Sequence, residues 1–228
     1  MVDEAGTQPI PAVKQKVWDA PTRLFHWLIV GLVAFSWWTA EEHMMDWHRR
    51  SGLAIVGLLV FRIWWGFMGP ATARFSRFIK GPGAVFGYIP KLFRPNYKAA
   101  FGHNPLGALS VVAILLALVT QVGLGLFAMD TDGLESGPLA RYVSYDFAEQ
   151  MGDLHEDAFN ILLVLIGLHI AAIAFYLLVK RVNLIGPMIT GSRNAASEGA
   201  VESIERVPLW RFAAGVVLAI AVVWLIAR

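Results

Sequence analysis

The stretch His155–Val179, HEDAFNILLVLIGLHIAAIAFYLLV, decides the fold. After Asp157 it holds no Asp, Glu, Lys or Arg until Lys180, which meets the roughly 20 apolar residues a bilayer core asks of a helix. Inside the run stands a second histidine, His169, 14 residues after His155 (169 − 155 = 14). Fourteen helical steps end about 40° short of four full turns and rise about 21 Å. Both imidazoles therefore share nearly one face, at two depths. Ionisable side chains inside a bilayer are costly and mark function.

Four further stretches read as spans: Pro21–Ala40, Ser51–Met68, Pro105–Ala128 and Pro208–Ala227. Pro21, Pro105 and Pro208 suit a first helical turn, and Asn104 is an expected N-cap. Trp18, Trp27, Trp37, Trp38, Trp47, Trp64 and Trp65 fall near span ends, as aromatic belts do. Of the 228 residues, 57% are hydrophobic and 16% charged, against about 25% charged in ordinary soluble domains. That balance excludes a disordered chain and a nucleic-acid-binding domain, and leaves a multi-pass membrane protein. The runs are too long and too uniform for β spans. The first span does not read as a cleaved signal, because its apolar run is long and no small-x-small site precedes Glu41. Cysteine is absent, so disulfides, thiolate zinc, iron–sulfur clusters and covalent c-type haem are excluded.

Charge orients the spans. The second loop holds Arg74, Arg77, Lys80, Lys91, Arg94 and Lys98 without an acid, and reads as cytoplasmic. Its Phe-, Gly- and Pro-rich part, Arg74–Pro95, reads as an interfacial stretch with basic anchors. The third loop and the start of the fourth span hold Asp130, Asp132, Glu135, Asp146, Glu149, Asp153, Glu156 and Asp157 against Arg141, and face outside. The first loop, with Glu41, Glu42 and Asp46, also fits outside, although Arg49 and Arg50 dilute it. Lys180 and Arg181 close the fourth span inside. The expected topology has the N-terminus inside, on the cytoplasmic face, and the C-terminus outside.

This topology gives each histidine of the fourth span a partner. His48 starts the inward-running second span and meets His155 at the outer end. His26 starts the outward-running first span and meets His169 at the inner end. Level matching requires the fourth helix to extend inward or the first to begin before Pro21. Two stacked His pairs predict two non-covalent b haems, since iron accepts two axial imidazoles and the macrocycle suits an apolar site. Bis-His iron has no open position for substrate, which favours electron transfer over chemistry at the metal.

Neighbouring residues carry paired readings. Arg62, 14 residues after His48, holds a haem propionate, snorkels, or pairs with a backbone carbonyl; Arg23, three before His26, is a second propionate candidate. Gly52, at i+4 from His48, and Gly167 either make room for a flat ring or allow close helix packing. His103 borders a quinone site or caps a surface turn. His43, beside Met44 and Met45, is a loop residue or a metal ligand. Thr120 and Gln121 read as interhelical hydrogen-bond partners.

Several ordered pieces carry a family resemblance: Val17–Asp19 with Arg23–Trp27, Trp47–Gly52, Phe61–Gly66, Gly102–Gly107, Leu154–Glu156, Leu168–His169 and Met188–Gly191. Together they resemble the bacterial cytochrome b561 family, which includes the b-type cytochrome subunits of nickel–iron hydrogenases. The resemblance implies a four-helix di-haem core ligated by His48/His155 and His26/His169. It also implies exchange of electrons with membrane quinone and with a hydrogenase-like protein or c-type cytochrome at the outer face. The expected fold class is an all-α membrane protein, a four-helix bundle holding two b haems plus a fifth C-terminal span. Residues 1–20 form a cytoplasmic segment, 21–193 the core, and 194–228 a surface helix followed by the fifth span. Alternatives are a superoxide:quinone oxidoreductase, a structural anchor, and a His-based metal or proton transporter; the last is disfavoured because the deep histidines lack nearby carboxylates.

Overall fold

The computed structural model describes residues 13–94, 102–131, 133–195 and 207–228. Five of its helices are long and apolar enough to cross a membrane: α1 (Ala20–Glu41), α2 (Met45–Met68), α5 (Pro105–Phe127), α6 (Tyr145–Leu178) and α8 (Leu209–Ala227). Between them lie the short α3 (Phe75–Phe78), α4 (Pro82–Leu92) and α7 (Ile185–Thr190). The only strands among the described residues, β1 (Val13–Lys16) and β2 (Ser192–Ala195), pair antiparallel.

Local chemistry sets the helix ends. Pro21 occupies the first turn of α1, where a missing N–H costs nothing. Asn104 caps α5 by accepting from Gly107 N at 2.8 Å. Ser144 caps α6, which begins ten residues (155 − 145 = 10) before the expected start at His155. That extension carries Asp146, Glu149 and Asp153, so hydropathy alone stops short of it. Pro208 is the residue before α8 rather than its first turn.

Neighbouring spans pack in the pairs α1 with α2, α5 with α6, and α2 with α8, with α2 also touching α5. The four-helix core meets in one apolar layer: Phe25 and Ile29 of α1, Ile55 and Leu59 of α2, Leu118 of α5 and Leu162 of α6. A second cluster joins Phe61 and Trp65 of α2 to Ala73 and to Ala219 of α8. Side chains such as Leu116, Ile161, Val164, Leu168 and Val217 stay exposed. This is the pattern of lipid-facing helices, whose outer surfaces gain nothing by burial in protein.

Two expectations are corrected here. Trp27, Trp37, Trp38 and Trp47 are exposed as belt residues should be, but Trp65 is core and Trp64 donates to Arg211 O of α8 at 2.8 Å. No helix starts at Asn194: Asn194 and Ala195 belong to β2, and the rest of the expected surface helix, 196–206, lies outside the described residues. The β1–β2 pair ties the segment before α1 to the chain after α7. Next to it, Gly191 O accepts from Val17 N and Trp18 N, and Arg23 Nη1 donates to Ile189 O.

Candidate functional site

At the acid-rich end of the bundle His48 and His155 face one another. Their ring centroids are 6.0 Å apart and the planes are nearly perpendicular, at 88°. His48 Nδ1 lies 2.9 Å from Ser36 O of α1, and His155 Nδ1 lies 2.9 Å from Gln121 O of α5. A carbonyl oxygen only accepts, so both Nδ1 atoms carry the proton and both Nε2 atoms keep a lone pair. Such a second bond orients an imidazole and makes it a better metal ligand. With a metal–nitrogen bond of about 2 Å, two imidazoles sharing one ion stand about 6 Å apart between centroids, which this pair matches.

The neighbours of this pair leave space and little else. A Cβ on Gly52 would meet nothing within 4 Å, whereas one on Gly125 would lie 2.7 Å from His155 Cε1. The Gln121 amide nitrogen sits 3.2 Å from each nitrogen of His155. Since Nδ1 is already a donor, that amide donates to the Nε2 lone pair. It is the group that gives way when Nε2 takes a metal.

At the other end His169 Nδ1 lies 3.3 Å from Ser110 Oγ of α5. His26 is within electrostatic range of His169, and its Nδ1 is buried with no hydrogen-bond partner among the described residues. The level mismatch is small: α1 begins at Ala20 and α6 ends at Leu178, so the two histidines sit six and nine residues inside their helix ends, a difference of about 4–5 Å.

Arg62 is 3% exposed and does not snorkel. Its Nη1 makes one long bond, 3.5 Å, to Ala73 O, and its guanidinium lies 5.0 Å from the Phe75 ring centre and 6.0 Å from that of Phe25. A hydrogen bond of that length is weak, and the carboxylate of Asp19 acts on the guanidinium electrostatically without a hydrogen bond to it among the described residues. Arg23 donates to Ile189 O, while its Nε is buried without a partner among the described residues. Gly167 is exposed with nothing within 4 Å of an added Cβ, so among the described residues no helix packs closely against it.

His103 stands between Trp18 and Phe78, with both ring centroids 4.6 Å away. Its Nδ1 is buried and has no hydrogen-bond partner among the described residues. Burial, followed by the charges of Arg62 and His169, pushes its pKa down to about 3, so it is a neutral imidazole at working pH rather than a surface cap. His43 lies in the exposed turn between α1 and α2. Among the described residues no cluster of three or more His, Asp or Glu assembles around it or elsewhere.

The approach of His48 to His155 was readable from spacing and charge. The carbonyls of Ser36 and Gln121, the hydroxyl of Ser110 and the close approach of Gly125 were not. Ser36 and Ser110 had a faint signal, each a polar residue in an apolar run; Gly125 had none, because its role depends on helix rotation.

The fit to haem rests on this donor set: the His48 and His155 imidazoles facing one another across the bundle, room beside Gly52, and a buried guanidinium suited to an acidic substituent. The profile of prokaryotic cytochrome b561 matches residues 17–191, which includes all four histidines, Arg62 and His103. No curated protein and no solved structure matches the chain. The match covers well over half of the sequence, and the chain belongs to the prokaryotic cytochrome b561 family, membrane proteins that bind b-type haem and transfer electrons.

Proposed function

We propose that this chain carries electrons across the membrane through two b haems, one held by His48 and His155 and the other by His26 and His169. The observation that carries this reading is the His48–His155 pair, set 6.0 Å apart with each Nδ1 bonded to a carbonyl of a neighbouring helix. When bound, haem supplies one-electron exchange at its iron.

The protein's part is ligation, orientation and exclusion. Ser36 O and Gln121 O hold the ligand tautomers, so ligation costs little rearrangement beyond displacement of the Gln121 amide. Of the apolar layer, Ile29, Ile55, Leu59, Leu118 and Leu162 fall in sequence between the two His levels, and Phe25 adjoins His26. The layer gives water and protons no polar path while leaving a short, dry gap for electrons. Arg62 and Arg23 hold acidic substituents of the inner haem. At the basic end, which the charge rule turns to the cytoplasm, neutral His103 with its free Nδ1 between Trp18 and Phe78 receives a quinone ring. At the acidic end a basic redox protein docks, a c-type cytochrome or a hydrogenase-like partner.

Paired substitutions test the ligand assignment. His169→Ala loses one haem and keeps the other. His48→Ala combined with His155→Ala also keeps one, whereas His48→Ala combined with His169→Ala keeps none. If the last variant retains a haem, or the His48/His155 double loses both, the pairing is wrong.

A further inference from the structure

The charge rule leaves a remainder at the acid-rich end. Among the described residues, the Lys and Arg there are Arg49, Arg50, Arg141 and Arg228, and topology explains none of them. The fold gathers them. Arg49, Arg50 and Arg141 line one cavity of about 420 Å³ between α2, the loop after α5 and the end of α8. Arg228 contributes its carbonyl oxygen, which accepts from Arg141 Nη2 at 2.6 Å, and its own guanidinium lies over Trp224.

The three guanidinium groups are not equally committed. Arg49 is taken up by Asp46 and Glu135. Arg141 gives one bond to Arg228 O and lies over the Tyr142 ring. Arg50 makes only a face contact with Trp47, 5.2 Å from the ring centre, and no ion pair among the described residues. Asp46 is the one acid among the described residues of the lining, so there the three guanidinium groups outnumber the carboxylates, amid a surface that is otherwise acidic. Planar guanidinium forks match phosphate oxygens two at a time.

The remaining walls say what else the anion carries. Leu53 of α2 and Ala227 of α8 line the same cavity and are apolar. Trp47 and Trp224, both more than half exposed, flank it where belt residues sit at the level of lipid headgroups. An oxyanion joined to apolar chains satisfies both kinds of wall.

We propose that this cavity binds a phosphate group, with Arg50 and Arg141 as donors, Arg49 fixed by Asp46 and Glu135, and α8 as its second wall. An acidic phospholipid supplies the phosphate. The proposal stands apart from the haem assignment, and it gives the fifth span, which lies outside residues 17–191, a task.

The test is binding to the full-length, haem-loaded protein in neutral detergent after lipid removal, read by native mass spectrometry. The titrants are phosphatidylglycerol, phosphatidylcholine and inorganic phosphate. The expected result is one saturable phosphatidylglycerol, not replaced by phosphatidylcholine. Arg50→Gln and Arg141→Gln each weaken it at least about tenfold, with haem content unchanged. Saturable binding of inorganic phosphate that depends on the same two arginines, without lipid retention, supports the site and assigns its ligand to the soluble phase. Equal retention of the two lipids by the wild type, or binding unchanged in both variants, overturns the proposal.

Discussion

His48 and His155 show how little of a ligand's identity lies in the ligand itself. Each becomes a one-sided donor because a backbone carbonyl, Ser36 O or Gln121 O, claims its Nδ1 proton. Gly125 keeps that arrangement by its lack of a side chain: a Cβ there would lie 2.7 Å from His155 Cε1 and 3.0 Å from Nδ1. Gly125→Ala therefore pushes the ring off Gln121 O. The expected outcome is a lowered occupancy or a shifted α-band for one haem, with the other unchanged, read in reduced-minus-oxidised spectra. An unaltered spectrum would show that the contact does not position the ligand. The histidines were legible from spacing, since a separation of 14 fixes face and depth together. Gly125 was not, because which glycine of a helix meets a neighbour depends on a rotation that sequence does not specify.

Among the elements, the five spans were legible from hydropathy. The acidic start of α6, residues 145–154, was hidden because a helix projecting beyond a bilayer looks like a loop to a hydropathy count. The β1–β2 clasp was hidden too, since it joins residues 13–16 to 192–195 and no local pattern links segments so distant. Gly191 is the hinge of that clasp. Its φ is +82°, and a Cβ would lie 2.9 Å from Trp18 O, a backbone atom that cannot swing aside. Gly191→Ala combines left-handed strain with that clash, and a destabilisation of at least about 1 kcal/mol is expected. Thermal unfolding of the purified protein measures it; an unchanged midpoint would show that the clasp adds no stability.

For the whole molecule, the scarce charge does two jobs. It sorts the ends, with Asp19 the one described acid at the basic end, and it leaves the other end acidic, the face on which the proposed partner docks. If a basic redox partner docks there, its association rate falls steeply with added salt, because exposed charges are screened beyond about 8–10 Å at physiological ionic strength. Stopped-flow electron transfer between the purified proteins at rising ionic strength checks this, and a flat rate would remove electrostatics from docking. The central claim is that four histidines hold two b haems stacked across one bundle. A pyridine haemochrome assay on the purified chain, set against protein concentration, tests it most directly. Two b haems per chain are expected; one haem or none contradicts the account.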